Sequence, residues 1–167
     1  MEGNVWVYFV AALVPMIVGF IWYNPKVFGN AWMKAAKVTQ EDVEGGNMPL
    51  IFGLSYLFSL MLAFMLNYLV HHDMQIAGTI FMDPELGVAA DSELGVMVTE
   101  FIEKVKARYT TFGHGFMHGL FISIFLILPV FATNSMFERK GFKYVLVNWG
   151  YWTVTIMLMG GVLSQFY

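Results

Sequence analysis

The sequence predicts an all-α, polytopic membrane protein with four transmembrane helices and short interfacial or amphipathic helices in two of its loops. Three observations support this fold class. Of the 167 residues, 58% are hydrophobic and 13% are charged, whereas soluble domains carry about 25% charged residues. Four stretches have the roughly 20 apolar residues needed to cross a hydrocarbon core of about 30 Å. None of these four stretches contains Asp, Glu, Lys or Arg.

The four predicted spans make up a single membrane domain over residues 1–167. The first span has no basic residue before its apolar run, and Glu2 is the charged residue near its start. A cleaved signal peptide needs a basic segment there, so we expect the first span to remain in the protein. The predicted spans cover residues 4–23, 49–70, 111–133 and 144–166.

The basic residues between the spans predict the orientation of the protein. Loops 24–48 and 134–143 share one side of the membrane and carry three basic residues each, whereas loop 71–113 alone carries three. Cytoplasmic loops hold the excess of Lys and Arg in membrane proteins. We therefore expect loops 24–48 and 134–143 in the cytoplasm, and both termini with loop 71–113 outside.

Residues 24–38, NPKVFGNAWMKAAKV, predict a short helix that lies in the membrane interface. An Asn-Pro pair stops the first span, and Phe28 and Trp32, four residues apart, share one helical face. Thr39 then begins the sequence TQED, whose capping-box spacing predicts another helical turn. Aromatic and basic side chains at headgroup depth anchor membrane proteins. The expected interfacial anchors are Trp22, Tyr23, Phe28, Trp32, Arg139 and Lys140.

Loop 71–113 is long for an unstructured connection, and its residues 91–109 predict an amphipathic helix. This helix can lie on the membrane, pack on the protein's own spans or bind a partner, and the pattern leaves these alternatives open. Earlier in the loop, Asp83-Pro84 predicts another helix start. The apolar face of residues 91–109 consists of Leu94, Met97, Val98, Phe101, Ile102, Val105 and Tyr109.

Small and polar residues inside the predicted spans indicate close helix packing. Gly115 and Gly119 form a small-xxx-small pair, which lets a second helix approach closely. Asn148 places an amide in the last span, where it needs a hydrogen-bond partner on another helix. Pro15 and Pro129 each remove a backbone donor, so we expect a kink at both positions.

All four histidines flank loop 71–113. His71 and His72 end the second span, and His114 and His118 begin the third, so the topology brings them to one membrane face. The spacing of four residues stacks the rings of His114 and His118 on one helical face. Hydrogen bonding across the bundle or to water is the favoured role. Ligation of a metal ion or haem by these four histidines is the alternative.

Methionines near the histidines offer a weaker argument for copper. Met117 adjoins His118, and Met61 and Met65 lie in the second span. The chain has 13 methionines, and in membrane proteins such residues more often act as flexible packing material. No cofactor is therefore expected from the sequence, with a metal ion or haem kept as the alternative.

Several function classes are excluded by the sequence. The chain has no cysteine, which removes disulfides, thiolate metal sites and cysteine nucleophiles. It has no P-loop, no G-x-S-x-G motif, no dinucleotide-binding fingerprint and no carboxylate inside a span. The net charge is −3 and the basic residues form no patch, so nucleic acid is not an expected partner. Enzymatic activity is not expected.

Two stretches of this sequence resemble a bacterial family of small four-helix integral membrane proteins of unknown function. Residues 19–34, GFIWYNPKVFGNAWMK, are similar to its signature W-Y-x-P followed by F-G-x-x-W. Residues 134–161, NSMFERKGFKYVLVNWGYWTVTIMLMGG, are similar to its signature N-x-x-F-E-R followed by N-x-G-Y-W. The resemblance implies four helices in a bacterial plasma (inner) membrane, and it implies no activity. The long loop 71–113 and the paired histidines of the third span are not part of the signatures.

Three functions are compatible with these features. The leading hypothesis is a non-enzymatic protein that acts by association, as a homo-oligomer or an accessory subunit of other membrane proteins. The second is a metal- or haem-binding membrane protein that uses the histidines at the outer face. The third is a small transporter or channel, whose pore would be lined by Ser55, Ser59, Asn148 and Thr155.

Overall fold

The computed structural model describes residues 3–80, 92–105 and 108–167, and the regular elements within these ranges are helical. A π-helical turn, Ser123–Ile127, lies within the continuous helical segment Phe112–Phe137 and separates its two α-helical parts. The helices are α1 (Trp6–Ala11), α2 (Val14–Trp22), α3 (Gly29–Ala36), α4 (Gln40–Glu44), α5 (Met48–Val70), α6 (His72–Ile80), α7 (Glu93–Val105), α8 (Phe112–Ile122), α9 (Leu128–Phe137) and α10 (Phe142–Phe166).

Among the described residues, three helices are long and apolar enough to cross a membrane: Met48–Val70, Phe112–Phe137 and Phe142–Phe166. The first predicted span is the shorter apolar helix Trp6–Trp22. At 1.5 Å per residue its 17 residues extend about 26 Å, which is at the lower limit for a hydrocarbon core of about 30 Å. The structure thus supports a membrane protein with three helices of spanning length, and the fourth span stays a prediction.

Both prolines coincide with the irregular backbone that the sequence predicts. The first apolar helix is interrupted by a turn at Ala12 and Leu13, and Pro15 lies in the first turn of the helix that follows. Pro129 likewise lies in the first turn of α9, directly after the π-helical turn. The reason is that proline donates no backbone hydrogen bond, so the preceding turn must rearrange its own bonding.

The central element of the bundle is α10, which packs against α8, α5 and both halves of the first apolar helix. Its contact with α8 is closest at two glycines. A Cβ atom added to Gly115 would overlap the Gly160 carbonyl, and one added to Gly119 would lie 2.6 Å from the Ile156 carbonyl oxygen. Both glycines therefore lie at the close contact between α8 and α10 inside this chain. The buried core comprises Val7, Ala11, Ala63, Leu66, Val70, Ile156, Met159 and Leu163.

The predicted helix in residues 24–38 is confirmed as α3, and TQED begins α4 with a capping box formed by Thr39 and Asp42. In loop 71–113 the described part of the segment predicted as an amphipathic helix, residues 91–109, contains α7, and residues 91, 106 and 107 lie outside the described residues. The structure adds α6, which the sequence pattern did not reveal. The expected helix start at Asp83-Pro84 lies outside the described residues.

Candidate metal centre

Two helix ends position three of the four histidines. The second long helix, α5, ends at Val70, and His71 follows in an extended conformation (φ −106°, ψ 104°) before α6 starts at His72. This break turns the chain, so His72 faces the start of α8 and does not continue along α5. On the other side, the Thr111 side chain caps α8 by accepting a hydrogen bond from the backbone N–H of His114.

The imidazoles of His72, His114 and His118 form a compact group. Each offers a ring nitrogen, and these three nitrogens lie within 4.8 Å of one another. The ring centroids are 5.0 Å apart for His72 and His114, 5.0 Å for His72 and His118, and 4.5 Å for His114 and His118. Three nitrogens bound to one zinc ion at about 2.0–2.1 Å lie about 3.3 Å apart. The nitrogens, now within 4.8 Å of one another, would therefore have to approach by up to about 1.5 Å to reach coordination distance.

The surroundings of this three-histidine group are partly shielded. All three histidines are partly buried. The Tyr109 ring lies against two of them, with its centroid 5.5 Å from that of His72 and 5.1 Å from that of His114. The Nε2 atom of His114 is buried and has no hydrogen-bond partner among the described residues. A buried nitrogen without a partner costs free energy unless another group or an ion contacts it.

His71 lies beside the three-histidine group, but its ring packs against other residues. Its Nδ1 atom lies 3.0 Å from the Asn67 carbonyl oxygen, and its ring packs edge-on against Tyr167 with centroids 5.4 Å apart. The side chain is buried, with 6% of its surface exposed. The sequence grouped all four histidines because they flank one loop, but the structure brings three of their rings together.

The geometry of the three rings suits a single ion better than haem. Haem ligated by two histidines lies between them, whereas these ring centroids are 4.5–5.0 Å apart and leave no space for a macrocycle between any pair. Of the methionines considered for copper, Met61 and Met65 are 63% and 53% exposed on α5, and Met117 is 45% exposed on α8. Nitrogen ligands without sulfur fit zinc, nickel or divalent copper.

The predicted packing residue Asn148 and two predicted anchors fasten the first apolar helix to α10. The Tyr23 hydroxyl donates to Asn148 Oδ1 at 2.8 Å, and Asn148 Nδ2 donates to the Tyr144 carbonyl oxygen at 2.8 Å. Trp22 Nε1 donates to the Val147 carbonyl oxygen at 3.0 Å. Both ends of the Asn148 amide are thus hydrogen-bonded within the chain.

The remaining predicted anchors lie around α3. Phe28 packs against Trp22 with centroids 4.4 Å apart, and Trp32 packs against Tyr23 at 5.4 Å. Lys140 Nζ donates to the carbonyl oxygen of Ala36 at 2.8 Å, which ties the turn before α10 to the end of α3. Arg139 is exposed in that turn with a positive φ of 56°.

The four polar residues considered for a pore are not gathered around one channel. Ser55 and Ser59 line a cavity between α2, α5 and α10. Asn148 is occupied by Tyr23 and lies outside the lining of that cavity. Thr155 is fully buried in α10. A polar pathway formed by these four residues is therefore not present in this conformation.

Sequence comparison places the chain in a family context. The profile of one family, described as a protein of unknown function (DUF1761), matches residues 6–164. Neither the curated proteins nor the solved structures that were compared give a match. The matched range includes α8 and the whole of loop 71–113, so it covers the three-histidine group.

Proposed function

We propose that this membrane protein, which belongs to the DUF1761 family of proteins of unknown function, binds one divalent transition-metal ion. The ligands are His72, His114 and His118. Because the family has no assigned activity, the proposal depends on the site itself. The single observation that supports it is the convergence of three imidazoles from two separate helices, with their ring nitrogens within 4.8 Å.

The physical case is that this arrangement is unfavourable without an occupant. An unpaired buried polar atom costs about 1–3 kcal/mol, and the Nε2 of His114 is such an atom. Placing three imidazoles together also brings like charges together whenever more than one is protonated. A metal ion removes both costs, because it accepts the nitrogen lone pairs and requires the neutral form of each ring.

Zinc is the ion that the ligand set favours for a first test. Zinc sites use histidine nitrogen readily, and three protein ligands leave the fourth tetrahedral position open to water or another ligand. The chain has no cysteine, so a thiolate cannot complete the set. Tyr109 adjoins the site and shields it on one side.

The proposed location of the site is the outer face of a bacterial plasma membrane. This location combines a four-span topology, in which Trp6–Trp22 is the fourth span, with the excess of basic residues in loops 24–48 and 134–143. The three histidines lie at the opposite end of the long helices from those loops, at the end of α5 and the start of α8.

A second candidate function is association with other copies or other membrane subunits through α7. Its support is that Met97 and Phe101, on the apolar face of α7, are 58% and 51% exposed. The other features that favoured association, Gly115, Gly119 and Asn148, are engaged within the chain. Native mass spectrometry in mild detergent tests this candidate, since Met97→Glu should dissociate an oligomer or complex that forms through α7.

The experiment for metal binding uses the full chain in detergent, stripped with EDTA and titrated with Zn²⁺ by calorimetry. We expect one ion per chain. Replacing His72, His114 or His118 singly by Ala should lower the affinity at least tenfold, because each removes one of three ligands. His71→Gln is the matched control, since His71 adjoins the group without joining it, and it should bind as the wild type does.

Two results would contradict the proposal. One is the absence of stoichiometric Zn²⁺ binding by the wild-type chain. The other is an equal loss of affinity in the His71→Gln control, which would mean that the substitutions act on folding. X-ray absorption of the zinc-loaded chain adds a direct measurement, with about three nitrogen ligands expected at about 2.0–2.1 Å.

A further inference from the structure

A cavity of about 560 Å³ lies between α2, α5 and α10, far from the three-histidine group. Its volume falls within the roughly 300–1,000 Å³ typical of small-molecule sites. Most of its lining is apolar, with Phe20, Phe52 and Phe58 among the contributing side chains. These three rings are 81%, 53% and 60% exposed, so they flank a side opening toward the surrounding lipid.

Three of the hydroxyl groups in the lining, those of Ser59, Tyr151 and Tyr23, donate to acceptors within the protein. Ser59 donates to the Ser55 carbonyl oxygen at 2.7 Å, and Tyr151 donates to the Pro15 carbonyl oxygen at 2.9 Å. Tyr23 donates to Asn148 Oδ1. These three protons already have acceptors, so they are not available to a polar ligand. An apolar occupant is the one that the cavity suits.

The origin of the cavity is visible in the sequence of the helices around it. The turn at residues 12 and 13 and Pro15 interrupt the first apolar helix just where the cavity begins. Gly19 then has no side chain to fill the space beside Tyr151, which lies 3.5 Å from where its Cβ would be. The small residues Ser55 and Ser59 leave room on the facing side of α5.

The depth of the cavity corresponds to one leaflet of a bilayer. Along α5 its lining runs from Ile51 to Leu62, which at 1.5 Å per residue is about 16 Å. That is about half of a hydrocarbon core of about 30 Å. One end lies beside Tyr23, where the chain leaves the first apolar helix for loop 24–48, and the other end lies near the middle of α5.

We infer that this cavity is a binding site for a single hydrocarbon chain, namely one acyl chain of a phospholipid from the leaflet on the side of loop 24–48. Its apolar walls, one-leaflet depth and opening toward the bilayer match such a chain. The lipid headgroup would remain at the interface beside Tyr23. Burial of the chain is favoured because it would give the cavity-lining surfaces of Leu62 and Trp152 dispersion contacts that empty space does not.

The test compares two variants of α5 that each introduce one phenyl ring. Ser55→Phe fills the cavity, whereas Gly53→Phe places the same ring at a position with open space around it. Each chain is purified in mild detergent with EDTA present, so that metal binding has no influence, and retained phospholipid is counted by native mass spectrometry. We expect one phospholipid per wild-type chain and per Gly53→Phe chain, and a loss of at least tenfold in Ser55→Phe.

A second measurement covers the case in which the filled variant changes the fold. Added phospholipid should raise the unfolding temperature of the wild type and of Gly53→Phe. It should not change the unfolding temperature of Ser55→Phe. Without lipid, Ser55→Phe should unfold at a temperature no lower than that of the lipid-free wild type. Equal lipid retention by both variants, or none by the wild type, would overturn the inference. A wild-type dimer that Ser55→Phe converts to a monomer would also overturn it, because the occupant would then be a second copy of the chain.

Discussion

The Tyr23 hydroxyl donates a 2.8 Å hydrogen bond to Oδ1 of Asn148, although 125 positions separate these two residues in the chain. Asn148 is 8% exposed, so its amide depends on partners within the protein. Beside this bond, Trp22 donates to the Val147 carbonyl oxygen. The end of the first apolar helix is therefore held to α10 by two adjacent polar contacts.

Replacing Tyr23 by Phe should destabilise the protein modestly. The substitution keeps the ring but leaves Asn148 Oδ1 without its donor, and hydrogen bonds between membrane helices contribute about 0.6 kcal/mol on average with a maximum of about 1.7 kcal/mol. Reversible unfolding in mixed micelles measures the change. Tyr68→Phe is the control, since Tyr68 is 39% exposed, and a loss equal to that of Tyr23→Phe would argue against a specific role for the bond.

Replacing Gly115 by Ala should be much more costly than replacing Gly113 by Ala. The added Cβ at position 115 would overlap the Gly160 carbonyl, whereas no atom of the described residues lies within 4 Å of the corresponding position at 113. Overpacking of this kind costs about 1–3 kcal/mol, and Gly113→Ala should be neutral or slightly stabilising because Ala favours the helix. Unfolding temperature and yield of folded protein check both. Equal behaviour of the two variants would mean that α8 and α10 are not packed as described.

Acidification should release the proposed metal ion. Each ligand must be neutral to bind, and an unperturbed histidine protonates near pH 6.5. Affinity for Zn²⁺ should therefore be highest above pH 7 and fall as the pH drops, by up to about tenfold per pH unit for each ligand that protonates. His72 also lines a small pocket beside the site, and the other titratable groups in the lining of that pocket are His71, Asp73 and Tyr109. Calorimetric titrations between pH 5 and 8 measure the slope, and a flat profile would contradict ligation by histidine.

The capping box at the start of α4 predicts a measurable pKa difference. Hydrogen bonds from the Thr39 hydroxyl at 2.7 Å and its backbone N–H at 2.8 Å hold the pKa of the Asp42 carboxyl below its usual range. Because this pKa is lower in the folded state, the Asp42 carboxylate stabilises the folded protein at pH values above its unfolded-state pKa. That stabilisation is lost as the pH falls through the folded-state pKa.

Thr39→Ala should therefore raise the pKa of Asp42 toward its ordinary value near 3.8, because the hydroxyl donor is removed. Thr39→Ser keeps that donor and should titrate as the wild type does. NMR titration of the Asp42 carboxyl carbon measures all three proteins. An unchanged pKa in Thr39→Ala would show that the backbone N–H alone sustains the depression.

The helical elements were largely predictable because their signals are local. Apolar runs of sufficient length, the proline positions, the capping box and the short helix α3 all follow from residues within a few positions of one another. The exception is the first span, whose apolar run is interrupted in the structure and leaves Trp6–Trp22 shorter than the other three. The helix α6 was missed because its sequence, HDMQIAGTI, has weak amphipathic periodicity.

The candidate site was predictable only in part. Loop topology gathered the histidines at one end of the bundle, which is a consequence of helix length and connection alone. It did not separate His71 from His72, since adjacent residues differ in direction only through the local backbone. The extended conformation of His71 sends its ring toward Asn67 and Tyr167, and it lets His72 join the other two rings.

By itself, the sequence determined that this is an all-α membrane protein with histidines collected at one end, since hydrophobic length and residue spacing are properties of the chain alone. The tertiary structure decided which three imidazoles meet, how the glycines of α8 are used, and where a cavity is left beside Pro15 and Gly19. These features depend on how helices distant in sequence pack side by side. Such packing depends on how the shapes of both helix surfaces fit together, so it cannot be read from the sequence of one helix alone.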